Sequence, residues 1–249
     1  MEPFTIQIAG LVTRVHPMFS STREYCRSYL SELAPEFDVV VTAQDLVREQ
    51  ELAELEAMEE GLRLRKFSDP FLERAVIQRK IARELLSRNT VLLHGSTVAV
   101  DGAAYLFTAP CGTGKSTQAE LWRRYRNAQI INGDKAIVYL ASEGVSVSSL
   151  PLCGSSGICR NVSGPVQAIV TLSQSRENRI CRLGGKDAVK ALLSQLYVQR
   201  GEAEAVAGAL ALASGIAGRV PVFHLSCLPE VSAVECLEKA MKEAQCDAG

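Results

Sequence analysis

Alternation of apolar and polar residues opens the chain: Phe4, Ile6 and Ile8, then Val12 and Val15, a period of two that predicts a β-hairpin around Gly10. Phe37 to Thr42 is a second short β-prone run. From Gln44 to Glu60, six glutamates interleave with Leu46, Leu52, Leu55 and Met58, a pattern read as a solvated helix face or linker in preference to an acidic docking surface. Ser68-Asp69-Pro70 then supplies a cap with proline at the first helical position, and Phe71, Ala75, Ile77, Ile81 and Leu85 continue at helical spacing to about Ser87. From Asn89 the period returns to two. The run TVLLHGSTVAV, the pair Asp101-Gly102 and the run AAYLFTA form the strongest hairpin signal in the chain, because both turn residues must take positive φ.

That second strand leads directly into PCGTGKST and then a helix carrying Leu121, Trp122 and Tyr125. Further strands are expected at 128–131, 136–141, 145–149, 166–172 and 220–226, and helices at 186–199, 202–216 and 230–243. This predicts an α/β protein built as an α+β mixed sheet. A small N-terminal α+β region, a hairpin plus helices, would occupy residues 1–88, and a larger domain residues 89–249. No internal repeat is visible.

Composition narrows the function classes. The 249 residues can bury a large core, and with 47% hydrophobic and 22% charged residues the chain is neither disordered nor fibrous. Lys+Arg 27 against Asp+Glu 28 gives net charge -1, so no overall pull toward nucleic acid or an anionic membrane exists. The uncharged stretches 144–159 and 205–218 are too short and too rich in Ser, Gly or Ala to span a bilayer. The opening MEPFTIQIAG lacks the basic end and apolar core of a secretory signal, and the expected location is cytoplasmic. Eight cysteines without a CxxC pair are expected to be reduced thiols, and three histidines (His16, His94, His224) do not combine with them into a zinc pattern.

The chemistry-bearing motif is Ala109-Pro110-Cys111-Gly112-Thr113-Gly114-Lys115-Ser116-Thr117. It fits the phosphate-binding loop except that Ala109 stands where the first glycine belongs. Gly112 and Gly114 would let the backbone wrap a nucleotide's phosphates, with N–H groups from Cys111 to Thr117 and the helix's positive end around them. Lys115 would reach the β- and γ-phosphates of ATP, and the Ser116 hydroxyl would ligate Mg²⁺. A metal held this way also wants a carboxylate, and Asp134, reached through Ile130-Ile131-Asn132-Gly133, is the candidate. Asn-Gly-Asp is equally good turn chemistry, so both roles stay open for it.

The runs LLHGSTVAVDGAAYLFTAPCGTGKST, INGDKA and NVSGPVQAIV resemble the kinase domain of HPr kinase/phosphorylase and its relatives, a fold related to phosphoenolpyruvate carboxykinase. The similarity spans roughly residues 89–172, and the N-terminal part looks like the small domain of kinase-like relatives. The resemblance implies that His94, of a His94-Gly95 pair, lies near the γ-phosphate; without it, a lone histidine in an apolar strand reads as a core residue. It also implies transfer of the γ-phosphoryl of ATP to a hydroxyl of a peptide, protein or small molecule. Two departures stand out. Gly133 occupies the place of the family's acid/base aspartate, and Leu152 and Ser155 stand where relatives tend to have tryptophan and lysine. Arg160 and Asn161 are candidates to replace the lost lysine at the substrate, set against a plain solvated loop. The expectation is therefore a cytoplasmic kinase using ATP and Mg²⁺, with a catalytically impaired nucleotide-binding regulator as the alternative. No nucleic acid or membrane partner is expected, and a homo-oligomer is compatible with the sequence.

Overall fold

Ala9 and Gly10 both take positive φ (51° and 83°), so the first apolar alternation closes as a two-residue turn between β1 (Phe4–Ile8) and antiparallel β2 (Leu11–His16). In this computed structural model, which describes residues 1–59, 61, 63–151, 157–197 and 203–246, the chain divides into two compact units, Met1–Glu84 and Leu85–Gly249.

In the first unit β3 (Phe37–Val40) adds in parallel to β2, and a short helix α1 (Ser20–Tyr25) lies between them in sequence. The acidic stretch is helix α2 (Ala43–Glu59). Thr42 and Asp45 start it as a reciprocal capping box: the Asp45 carboxylate accepts from Thr42 N at 2.8 Å, and Thr42 Oγ1 accepts from Asp45 N at 3.2 Å. The helix face is not simply solvated. Glu49 is buried and takes two 2.8 Å hydrogen bonds from the Arg79 guanidinium of α3 (Asp69–Leu86), while Asp45 pairs with Lys80 at 2.9 Å. Glu73, also on α3 and fully buried, accepts from Met18 N, Phe19 N and Thr22 Oγ1, which fixes the chain as it enters α1. Burial beside these groups pushes the Cys26 thiol up to about 12.

The second unit is a mixed sheet flanked by helices. Its strands are β4 (Thr90–His94), β5 (Ser96–Val100), β6 (Ala103–Thr108), β7 (Gln129–Asn132), β8 (Lys135–Ala141), β9 (Gly144–Ser148), β10 (Ser163–Gln174), β11 (Arg179–Leu183) and β12 (Val222–Cys227). The order is β4-β8-β9-β10-β6-β5-β7, with β12 added to β10 and β11 to β12. The long strand β10 joins two halves. Its first residues pair antiparallel with β9, and its later residues pair in parallel with β6 on one side and β12 on the other. The run TVLLHGSTVAV is two strands, not one: β4 pairs with β8, and after Gly95 β5 pairs with β6 and β7.

Period-two alternation sorts the strands' side chains onto two cores. Ala104 and Leu106 of β6 face a cluster with β4, β8 and β9, with α5 (Gly185–Leu193) through Ala188 and Leu192, and with α6 (Ala203–Ala217) through Leu212, Ala213 and Ile216. Phe107 faces the opposite cluster, with Ala119 and Trp122 of α4 (Lys115–Arg126) and Ala233, Val234 and Leu237 of α7 (Val231–Cys246). The strand β11 was not expected from sequence because RICRL is mostly exposed and alternates weakly. Among the described residues no helix is long and apolar enough to cross a membrane. Cys159 departs from the expectation of reduced thiols: it is disulfide-bonded, whereas Cys26, Cys111, Cys181, Cys227 and Cys236 are free. Proximity in the fold decides pairing, and sequence spacing does not report it.

Candidate functional site

Strand β6 ends at Thr108, helix α4 begins at Lys115, and the residues between turn on two glycines with positive φ, Gly112 (77°) and Gly114 (118°). No atom lies within 4 Å of where a Cβ would stand at either glycine, so the demand there is for backbone conformation, not for space. Ala109 is buried and absent from the positive-φ residues, which explains why a side chain is tolerated where the sequence pattern has glycine. No side chain caps α4, leaving its first N–H groups directed at the loop. Lys115 is buried, and its Nζ donates to the carbonyls of Ala109 at 2.8 Å and Pro110 at 3.1 Å. Cys111, Gly112, Ser116 and Thr117 are exposed. An exposed run of backbone donors beside a buried ammonium can receive an anion.

Across from the loop, two tethers join the β4–β5 junction to the turn after β7, and a third ties the end of β6 to the end of β4. Gly95 N donates to Asp134 O at 2.8 Å, Ser96 Oγ to Gly133 O at 2.9 Å, and Thr108 Oγ1 to His94 O at 2.6 Å. Gly95 has no room for a side chain, since a Cβ would stand 2.7 Å from the Phe107 carbonyl oxygen. Fully buried Asn132 shapes the turn. Its Oδ1 accepts from Asp134 N at 2.9 Å and Lys135 N at 3.0 Å, while its Nδ2 donates to Ser149 Oγ at 3.1 Å. Turn chemistry and a presented carboxylate therefore coexist at Asp134. Its Oδ1 lies 3.6 Å from His94 Nε2 and its Oδ2 lies 3.8 Å from Lys135 Nζ.

Burial, then the charge of Lys115, hold the His94 pKa down to about 4, against a smaller upward pull from Asp134. His94 is thus neutral at pH 7, a weak base that can still offer or accept one hydrogen bond. An unfolded histidine takes its proton near pH 6.5 and folded His94 only near pH 4, so between these values the unfolded state holds more protons. Stability present above pH 6.5 is lost as the pH falls through that window. Urea unfolding at pH 7 and pH 5 should show a larger loss in wild type than in His94→Gln; equal losses would place the acid sensitivity elsewhere. Gly95→Ala should cost ~1–3 kcal/mol in the same assay, because the opposing atom is backbone and cannot swing away. An unchanged midpoint would contradict the close approach.

His94, Lys115 and Asp134 therefore lie in one neighbourhood, with Gly112 to Thr117 forming its loop. Sequence reasoning missed Lys135 and the positioning role of Asn132, although Asn-Gly-Asp-Lys carried both. It also missed Gln174, whose Nε2 donates to Gly112 O at 3.1 Å. Arg160 and Asn161 are exposed. The Arg160 backbone is fixed beside β7, with its N donating to Ile131 O at 2.8 Å. Leu152 and Ser155 lie outside the described residues. Among the described residues no group of three or more His, Cys, Asp or Glu gathers as a metal cage.

The family model of "SynChlorMet cassette protein ScmC" matches residues 71–242, most of the chain and all of this neighbourhood. The chain belongs to the ScmC family. Among solved structures, this ScmC-family chain is similar to the Hpr(Ser) kinase/phosphatase from Coxiella burnetii at 11% identity and a TM-score of 0.37, over 63% of this chain and 96% of that one. No curated protein matches.

Proposed function

We propose that this chain is an ATP-dependent kinase that moves the γ-phosphoryl group to a hydroxyl of a peptide, protein or small molecule. The observation that carries the reading is the uncapped start of α4, with buried Lys115 and two positive-φ glycines, in the same neighbourhood as the Asp134 carboxylate and His94. Phosphoryl transfer asks mainly for positioning and charge neutralisation, which this set can supply. The backbone of Cys111 to Thr117 would hold the phosphates, and Lys115 would turn from the Ala109 and Pro110 carbonyls to the β- and γ-oxygens.

Mg²⁺ suits the donors present: it keeps several waters and takes one or two protein oxygens beside the phosphates, here Ser116 Oγ and the Asp134 carboxylate. When bound, it neutralises charge on the transferring group. Lys135, 3.8 Å from Asp134, adds a second positive charge beside the same carboxylate. Asp134→Asn should weaken ATP binding with Mg²⁺ by at least tenfold and leave Mg²⁺-free binding within about twofold, since it removes one ligand charge and keeps the shape. Calorimetry with equal loss in both conditions would reduce Asp134 to a turn residue.

A second reading has its own support: a regulator that holds ATP without spending it. The low basicity of His94 and the single carboxylate beside it favour that view. The two readings part on turnover. Cytoplasmic location, the acceptor, and any pairing of copies remain expectations of the proposal, and Arg160 and Asn161 its candidates for touching the acceptor.

A further inference from the structure

A second constellation of reactive side chains lies on β10 and β12, beside the glycine loop. In the parallel pairing of these strands Thr171 stands opposite His224 and Ser173 opposite Ser226. Their neighbours Val170, Leu172, Phe223 and Leu225 enter the core beneath α4 and α7, so the four polar residues share the other face. Leu106 also lies on that face, and so by alternation does Thr108, whose hydroxyl reaches the His94 carbonyl. Thr171 pairs with Thr108, the last residue of β6, which puts Ser173 two residues closer to the loop on a strand ~4.8 Å away. The next residue, Gln174, already touches the loop through the Gly112 carbonyl at 3.1 Å.

The hydrogen bonds favour one tautomer. Thr171 Oγ1 lies 3.1 Å from the Phe223 carbonyl oxygen, and a carbonyl only accepts, so the hydroxyl's one proton points there. The 3.0 Å contact from Thr171 Oγ1 to His224 Nδ1 therefore uses a hydrogen on Nδ1. That leaves the Nε2 lone pair to accept, and Ser173 Oγ at 3.1 Å is nearer to it than Ser226 Oγ at 3.4 Å. Ser226 can then donate to Ser173 at 2.9 Å. A serine hydroxyl hydrogen-bonded to a histidine whose other nitrogen is anchored has the form of a nucleophile with its base.

We propose that Ser173 is a phosphoryl acceptor within this chain, with His224 as its base. The inference rests on the kinase reading above. Ser173 Oγ forms a bond to the γ-phosphorus of ATP as the bond from that phosphorus to the β–γ bridging oxygen breaks; ADP leaves, and the Ser173 proton passes to His224 Nε2. No oxidant or further reactant is needed.

Incubating the full chain with Mg·ATP, measuring ATP affinity by calorimetry and mapping phosphorylation by mass spectrometry on the same samples tests this. Wild type should gain one phosphoryl group, stable to acid, on Ser173. Ser173→Ala should lose it while keeping ATP affinity within about twofold, and His224→Gln should slow it roughly 10²- to 10⁴-fold, the range of general base catalysis. Ser226→Ala should keep the mark. Tight ATP binding with Ser173 unmodified, or with the group on Ser226 or His224, would overturn this proposal and leave the kinase reading standing. Absence of ATP binding would overturn the kinase reading, and this inference with it.

Discussion

Lys115→Ala is expected to lower the affinity for Mg·ATP roughly 10- to 100-fold. The size follows from the loss of charge-assisted hydrogen bonds to phosphate oxygens, each worth ~1.5–3 kcal/mol. The side chain is buried at the start of α4, where its ammonium donates to the Ala109 and Pro110 carbonyls of its own loop. Polyphosphate oxygens are better acceptors for an ammonium than carbonyls are. Of the two carbonyls left behind, that of exposed Pro110 can turn to water while that of buried Ala109 loses its partner, so some stability is lost along with affinity. Titration calorimetry, with a thermal melt as the control for folding, reads the effect. Equal affinity in wild type and variant would remove Lys115 from any phosphate site.

Gly133→Asp is expected to raise ATP turnover, by as much as the roughly 10²- to 10⁴-fold that a well-placed general base supplies. Gly133 is held by its backbone on both sides: its N donates to Ile158 O at 3.2 Å and its carbonyl accepts from Ser96 Oγ at 2.9 Å. A new side chain there starts from a fixed point next to Asp134. The gain is expected because His94, with its pKa near 4, is poorly suited to take a proton at neutral pH. No gain over an active wild type would mean that a base already operates without the missing carboxylate. ATP binding with no turnover in either protein would select the regulator.

The structure also marks which features sequence can carry. The turn at Asp101 (52°) and Gly102 (78°) was legible because the residue pair suits positive φ, and the one at Ala9-Gly10 because apolar alternation reverses around Gly10. The glycine loop was legible because its residues follow one another in the chain. The break between β4 and β5 was not, since apolar alternation runs through it and the reason for Gly95 is a carbonyl from Phe107, twelve residues away. The pairing of Asp45 and Glu49 with Lys80 and Arg79 was hidden for the same reason: composition alone cannot tell a solvated glutamate from one docked on a neighbouring helix. At the candidate site, Asp134 was visible as a residue, but the hold of Asn132 on it depends on Ser149 and Leu150, which only the sheet brings close. The Ser173–His224 pair had no local signal at all. Its residues lie 51 positions apart and meet through parallel strand pairing.

The most direct measurement is the rate of ADP formation from Mg·ATP by the purified chain, with the His94→Ala, Asp134→Ala double variant beside it. Wild type should form ADP slowly, and the double variant should fall to the rate of ATP in buffer while keeping its fold. Equal, vigorous ADP formation in both proteins would contradict the assignment of phosphoryl transfer to this neighbourhood.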